Sequence, residues 1–466
     1  MPFIFYDTET TGTDPAFDQV LQVAAILADN DLNELDSFNL RCRLQPHVLP
    51  SITALLITGM TIGAVDAAPL SYGEMVREMR RRFLAWSADG AVFCGWNTLS
   101  FDEEMLRQGF YQTLHPLYLT NTGGNTRADL MRMAQAIHAV RPQAINRGVG
   151  PDGKLNWKLG DTAAANGIVL TDAHDALADT RATLEIARAL KANAPNLFAH
   201  MIQMASKAKA MELAETSDLL FLAESRFGSS SGAVVAPLAL IGSSSLYTMF
   251  DLRHDPAPFL AADDAALQKL LNASPRPVRK APLNKQPAIF PVAWTPEDIA
   301  GGRLPLEIYQ SRAAALRADP ALATRIARLL ESGFDDSEPT HVEQQIYRGF
   351  PSSADTRLMT AFHEAPWDQR AAILQRLEDP RARTLGLRHL AAERENVLDV
   401  NARTRWAQFL RDRLLATGDV PWRTMAALHD EIAELREADA VSHAGVVAEL
   451  REWIAVRTAR LTAISF

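Results

Sequence analysis

Phe3-Ile4-Phe5-Tyr6-Asp7-Thr8-Glu9-Thr10-Thr11-Gly12 opens the chain with an apolar run that ends in two carboxylates. Alternate residues of a β-strand project to one face, so Asp7 and Glu9 stand side by side at the end of a strand whose other residues favour burial. Adjacent carboxylates repel one another unless a cation lies between them. A hard divalent ion such as Mg²⁺, which takes carboxylate oxygens, removes that cost. A chance pair in a solvated turn is the alternative, and the remaining motifs decide between the two.

The chain has 466 residues, too many for one ordinary core, and two or three domains are expected. Apolar residues make up 47%, enough for a sizeable core in each. No stretch reaches the ~20 consecutive apolar residues of a membrane-spanning helix. No secretory leader is expected, since acidic residues begin at Asp7 with no basic segment before them. Cys42 and Cys94 are the only cysteines and lie in apolar, strand-like runs. Reduced core thiols in a soluble cytoplasmic protein are expected, with no disulfide and no thiolate metal site.

The net charge of −9 argues against indiscriminate nucleic-acid binding, which calls for a strongly basic domain. Residues 1–196 carry net −6, residues 197–336 net −1 and residues 337–466 net −2. Any polyanion groove must be local. Arg276-Pro-Val-Arg279-Lys280-Ala-Pro-Leu-Asn-Lys285 is the candidate, with a solvated loop as the alternative.

Residues 1–196 read as α/β. Strand-like runs occupy Phe3–Tyr6, Val20–Leu27, Phe38–Leu44 and Ala91–Trp96. Helical patterns occupy Tyr72–Trp86, Glu103–Tyr111, Leu130–Val140, Leu159–Asn166 and Ala176–Ala192. This order predicts a mixed sheet covered by helices. Ala194-Pro195-Asn196 stops the last helix and marks a boundary. Residues 197–336 begin helical, then turn to Gly/Ser punctuation and β-branched runs such as Val234–Ile241 and Ser245–Leu252, with a helical tail at Arg312–Leu330. A small β-rich domain is expected there. From Pro339 onward Ala, Leu, Arg and Glu recur at helical spacing, as in Arg403–Leu415 and Met425–Arg436, and predict an all-helical domain.

Three further residues extend the acidic pair. Asp102 ends Asn97-Thr98-Leu99-Ser100-Phe101-Asp102, directly after the strand-like run Ala91–Trp96. His174-Asp175-Ala176-Leu177-Ala178-Asp179 opens a helix. Five helical residues turn the direction by ~500°, so His174 and Asp179 cannot share a helix face. They converge only if His174 lies on the preceding loop and Asp179 in the first turn. Asp175 is a good N-cap and supports that placement. Taken singly, His174 reads as a surface or capping residue, and Asp179 as a partner of the helix dipole.

Asp7, Glu9, Asp102, His174 and Asp179 resemble, one by one, the five motif positions of the DEDDh 3′→5′ exonuclease superfamily. Its tyrosine variant needs Tyr four residues before the final Asp, where this chain has Asp175, so the histidine branch applies. Arg127-Ala-Asp129-Leu130, Val140-Arg141-Pro142, Trp157-Lys158-Leu159, Arg226-Phe-Gly228, Ala236-Pro237-Leu238 and Leu283-Asn-Lys285 resemble stretches of the bacterial exonuclease I family. The resemblance implies an α/β ribonuclease H-like exonuclease domain with a mixed sheet over 1–196. It also implies a β-rich SH3-like domain over 197–336 and an all-α C-terminal domain over 337–466. The implied activity is 3′→5′ hydrolysis of single-stranded DNA to 5′-mononucleotides in DNA repair and recombination, by a cytoplasmic monomer.

Four carboxylates can hold two divalent ions ~3.5–4 Å apart, one activating water and the other stabilising the leaving 3′-oxygen. Two Mg²⁺ are expected, with Mn²⁺ able to substitute. By the family's pattern Asp7 bridges the ions, Glu9 and Asp179 bind the nucleophile-side ion, and Asp102 supports the second. His174 is then the general base, its reference pKa of about 6.5 suiting the task. Gly12 is read as letting the backbone turn closely past the terminal nucleotide, which Glu9 also contacts.

Lys158 takes the place of a substrate-binding residue that is commonly Arg, retaining the charge without the bidentate phosphate geometry. Arg107 matches a DNA-contacting arginine of the family. Among the aromatic residues near the motifs, Trp96 and Phe101 read as core. Tyr118 and Trp157 stay open between core and base stacking. Arg141 corresponds to part of the surface that receives the acidic, apolar tail of single-stranded-DNA-binding protein. A proofreading or RNA-trimming exonuclease is the nearest alternative, but it leaves residues 197–466 unexplained. A catalytically inactive nucleic-acid-binding scaffold is another, although degenerate versions usually lose a carboxylate and none is missing here.

Overall fold

The computed structural model describes residues 1–170, 175–226, 229–296, 304–331 and 339–463. The opening run forms β1 (Phe3–Thr10), which pairs within a five-stranded sheet with β2 (Val20–Ala28), β3 (Glu34–Arg41), β4 (Val92–Gly95) and β5 (Thr126–Asp129). The order is β3-β2-β1-β4-β5, so β1 is central. β1 runs antiparallel to β2 and parallel to β4, which makes the sheet mixed, as expected.

Among the described residues, the α-helices up to Asn193 are α1 (Ile52–Thr58), α2 (Ile62–Asp66), α3 (Tyr72–Trp86), α4 (Asp102–Gln112), α5 (Leu130–Val140), α6 (Leu159–Ala165) and α7 (Ala176–Asn193). Both faces of β1 are covered, and its apolar residues therefore run without a break. Ile4 and Tyr6 pack with Tyr72, Val76 and Phe83 of α3 and with Met105 and Phe110 of α4. Phe3 and Phe5 pack with Met133 and Ile137 of α5 and with Ile186 and Leu190 of α7. By alternation, Asp7 and Glu9 leave β1 on the face of Phe3 and Phe5.

The apolar pattern places the third strand at Phe38–Leu44, but β3 begins at Glu34. It is an edge strand, and the exposed Glu34 and Asp36 guard that edge against pairing with another chain. α7 ends at Asn193, and Pro195 opens the next helix, α8 (Pro195–Met204).

A hairpin of β6 (Gly148–Val149) and β7 (Leu155–Asn156) precedes a second sheet built from β8 (Leu220–Arg226), β9 (Ser229–Leu240), β10 (Leu246–Asp251), β11 (Val278–Pro282) and β12 (Ile289–Pro291). Its order is β11-β10-β9-β8-β12, antiparallel throughout. Val234 and Phe250 of this sheet pack with Tyr309, Leu316 and Ile326 from the helices Leu306–Ala318 and Pro320–Glu331. Phe221 and Phe290 instead enter the core of the first region. From residue 339 on, the described residues contain helices and no strand, as the composition predicts. Their core is shared, because Leu49, Ile52, Leu55 and Ile62 pack among Leu414, Leu428 and Leu450.

Candidate active site

Asp7 and Glu9 meet Asp179, which sits in the first turn of α7. One carboxylate oxygen from each of the three lies within 4.8 Å of the other two. α7 is fixed by Asp175, the expected N-cap, whose side chain accepts the Leu177 N–H. Its other oxygen accepts Gln22 Nε2 and Arg41, each at 2.9 Å, which ties the helix start to β2 and β3.

Asp102 arrives from another element. It begins α4 after a turn in which Asn97 adopts φ +63°, and it is 4% exposed. Its Oδ1 accepts the Thr8 hydroxyl at 2.7 Å and the Thr8 N–H at 3.0 Å. Asp102 is therefore beside the three-carboxylate group and held by the strand that supplies Asp7 and Glu9.

Burial and the negative charges of Asp102, Glu9 and Asp179 push the Asp7 carboxyl well above its usual range. Glu9 is pushed up to about 8 by burial, then by Asp179 and Asp102. Burial pushes Asp102 up to about 7 against the opposing pull of the Thr8 bonds. Such a group stays charged only beside a cation. Its donors are all hard oxygens, which fits Mg²⁺ or Mn²⁺.

His174 lies outside the described residues. A Cβ at Gly12 would lie 2.4 Å from Asp18 Oδ2, so the position also requires glycine for packing inside the protein. The space is filled by that carboxylate, which accepts Thr11 Oγ1 at 2.8 Å and pairs with Arg423 at 3.2 Å. Lys158 is exposed at the start of α6, on a cavity of about 440 Å³ shared with Trp96, Asn97, Gln135 and Ser225. Trp157 is core: it is 6% exposed, and its carbonyl accepts the Trp96 indole N–H. Arg107 is buried, pairs with Glu103 at 2.9 Å and lies 5.0 Å from the centroid of the half-buried Tyr118 ring.

In the candidate groove segment, Arg279 is already engaged by Glu224 and by the buried Asp251. Arg276 and Lys280 are exposed and Lys285 is half-buried. Arg141 is exposed at the end of α5. The sequence reading missed Thr8, Gln22 and Arg41 as supports of the acidic residues. For Thr8 a signal existed, since alternation sends it to the face opposite Asp7 and Glu9.

Residues 4–187 match the Exonuclease family model, and residues 340–457 match the Exonuclease I C-terminal domain. Exodeoxyribonuclease I of Escherichia coli K12 is 28% identical over 425 residues, covering 88% of this chain and 89% of that protein. The chain carries an exonuclease domain and an exonuclease I C-terminal domain. The exonuclease domain and these relatives mark it as a nuclease. Exodeoxyribonuclease I of Haemophilus influenzae is 27% identical over 430 residues, 88% of this chain and 90% of its own. Escherichia coli exonuclease I in complex with a dA16 oligonucleotide superposes with a TM-score of 0.85 at 26% identity, over 98% of this chain and 99% of that one. The moderately thermophilic exonuclease I from Methylocaldum szegediense gives 0.83 at 26% identity, with the same coverage. One Escherichia coli exonuclease I complex with single-stranded DNA holds a zinc ion.

Proposed function

We propose that this chain is a 3′→5′ exodeoxyribonuclease that degrades single-stranded DNA to 5′-mononucleotides and serves DNA repair and recombination. The observation that carries this reading is the convergence of Asp7, Glu9 and Asp179 beside a buried Asp102. Relatives crystallised with single-stranded oligonucleotides support the substrate class.

Asp7, Glu9, Asp179 and Asp102 would hold two Mg²⁺ ions, or Mn²⁺ in their place. When bound, the ions supply a lowered pKa for the attacking water and charge neutralisation at the phosphate and the leaving 3′-oxygen. The chain's own residues do the rest. Thr8 occupies Asp102 Oδ1 and so orients the other carboxylate oxygen. His174 takes the proton of the attacking water. Lys158, exposed at the start of α6, meets the phosphate of the terminal nucleotide as a point charge. Arg107 and Tyr118 act together, with the guanidinium holding the ring that faces the strand.

The functional division follows residues 1–196, 197–336 and 337–466, with an SH3-like middle part. The protein acts as a cytoplasmic monomer, and Arg141 offers the acidic tail of single-stranded-DNA-binding protein a contact. Digestion of matched single strands labelled at either end tests the activity. The 3′ label should appear at once as a mononucleotide in Mg²⁺, while the 5′ label shortens stepwise. Release of the 5′ label first, or equal turnover by Asp7→Ala, would refute it.

A further inference from the structure

The loop between β11 and β12 belongs to the β-rich region, yet three of its residues bond to the first region. Gln286 is 2% exposed and adopts φ +47°, a conformation unfavourable for any residue but glycine. Both ends of its amide are bonded. Oε1 accepts the Asp129 N–H at 2.7 Å, and Nε2 donates to the Met201 carbonyl at 3.0 Å. The Asn284 carbonyl accepts Arg127, and the Lys285 carbonyl accepts Arg132, each at 3.3 Å.

All three residues lead to one place. The fully buried Asp129 carboxylate accepts the N–H groups of Asn97 at 3.1 Å and Leu99 at 3.3 Å. Arg132 also donates to Ser100 Oγ at 2.9 Å, and Arg127 donates to Glu103 at 3.0 Å. Residues 97–103 are the turn and helix start that deliver Asp102.

We propose that Gln286 is a positioning residue for Asp102, fixing from the β-rich region the Asp129 carboxylate on which the Asn97–Phe101 turn hangs. The inference rests on the reading of Asp102 as a metal-site residue. Residues that orient a ligand from behind typically change metal affinity or activity by about 10- to 100-fold when lost. The second region then contributes to the chemistry indirectly, through the bonds that Asn284, Lys285 and Gln286 make to Arg127, Arg132 and Asp129.

Gln286→Met keeps the volume and removes both amide bonds. Arg132→Met cuts the Lys285–Ser100 tie at a partly exposed residue and serves if the first variant does not fold. Leu267→Ala, in the core of the β-rich region, is the control for destabilisation alone. The full-length proteins are compared by Mn²⁺ binding in calorimetry and by rate against Mg²⁺ concentration, well below their melting temperatures. Gln286→Met should weaken Mn²⁺ binding and raise half-saturating Mg²⁺ by about 10- to 100-fold. Arg132→Met should shift both the same way, and Leu267→Ala neither. Wild-type metal dependence in the Gln286 and Arg132 variants, or an equal shift in the control, would overturn the inference. A wild-type protein that leaves single strands intact would instead refute the exonuclease reading.

Discussion

The Thr8 hydroxyl donates to Asp102 Oδ1 across 2.7 Å, from the residue that separates Asp7 and Glu9 on β1. One strand thus presents two carboxylates on one face and orients a third from the other. Thr8→Val keeps the shape and the backbone bond but withdraws one donor from a buried carboxylate, a loss of about 1–3 kcal/mol. The expected result is a rate about 10- to 100-fold lower with a higher Mg²⁺ requirement. Steady-state rates across a Mg²⁺ series check this, and an unchanged curve would remove Thr8 from the site.

Glu9 titrates near 8 and Asp102 near 7 in the folded protein, against ordinary values of 4.5 and 3.8. Between those limits the folded state holds more protons than the unfolded chain. Stability from these groups is therefore present at low pH and is lost as pH rises through about 4 to 8. Metal-free protein should gain melting temperature from Glu9→Gln at pH 8.5 and little at pH 5. Mg²⁺ should stabilise the wild type more at pH 8.5 than at pH 5. Melting curves with and without chelator at both pH values decide it, and the opposite ordering would mean the carboxylates are not frustrated.

The legible parts of this fold are those whose signal is local. The apolar run of β1, the period of Leu130–Val140 and the Asp175 cap were all readable, because each is dictated by neighbours in sequence. β5 was not, since Thr126-Arg-Ala-Asp129 has no strand alternation and is extended only through its parallel pairing with β4. α1 and α2 were missed because their apolar faces meet partners that lie hundreds of residues away. Likewise Arg279 reads as a groove cation, while the carboxylates that engage it arrive from β8 and β10.

His174→Ala should lose about 10²–10⁴-fold in rate and keep its affinity for DNA. The wild-type pH–rate profile should rise through about 6–8, and that limb should disappear in the variant. Equal limbs and equal rates would assign His174 a capping or purely structural role.

Strand retention is expected to come from residues 197–466, and it must be tested in the full chain. Excising residues 1–196 would bare Leu49, Ile52, Leu55 and Ile62, each at most 2% exposed, along with the core face covered by Phe221 and Phe290. Each such side chain contributes about 1.5–3 kcal/mol by its burial, so the fragment should associate or lose α1 and α2. Intact protein avoids that difficulty. The first region is net −6 and should hold a polyanion poorly, so cations outside it must supply the grip. Arg279 also braces its own sheet through Glu224 and Asp251, so its loss would disturb the fold as well as any grip, and Lys280 and Lys285 are changed instead for their charge alone. Replacing both with Ala should shorten the run of cuts per binding event in a trap experiment. It should also reduce the slope of log affinity against log salt by about 0.7 for each phosphate that is no longer neutralised on a single strand. Unaltered run lengths and slopes would take this segment out of the DNA path and leave the two outer regions to hold partners instead.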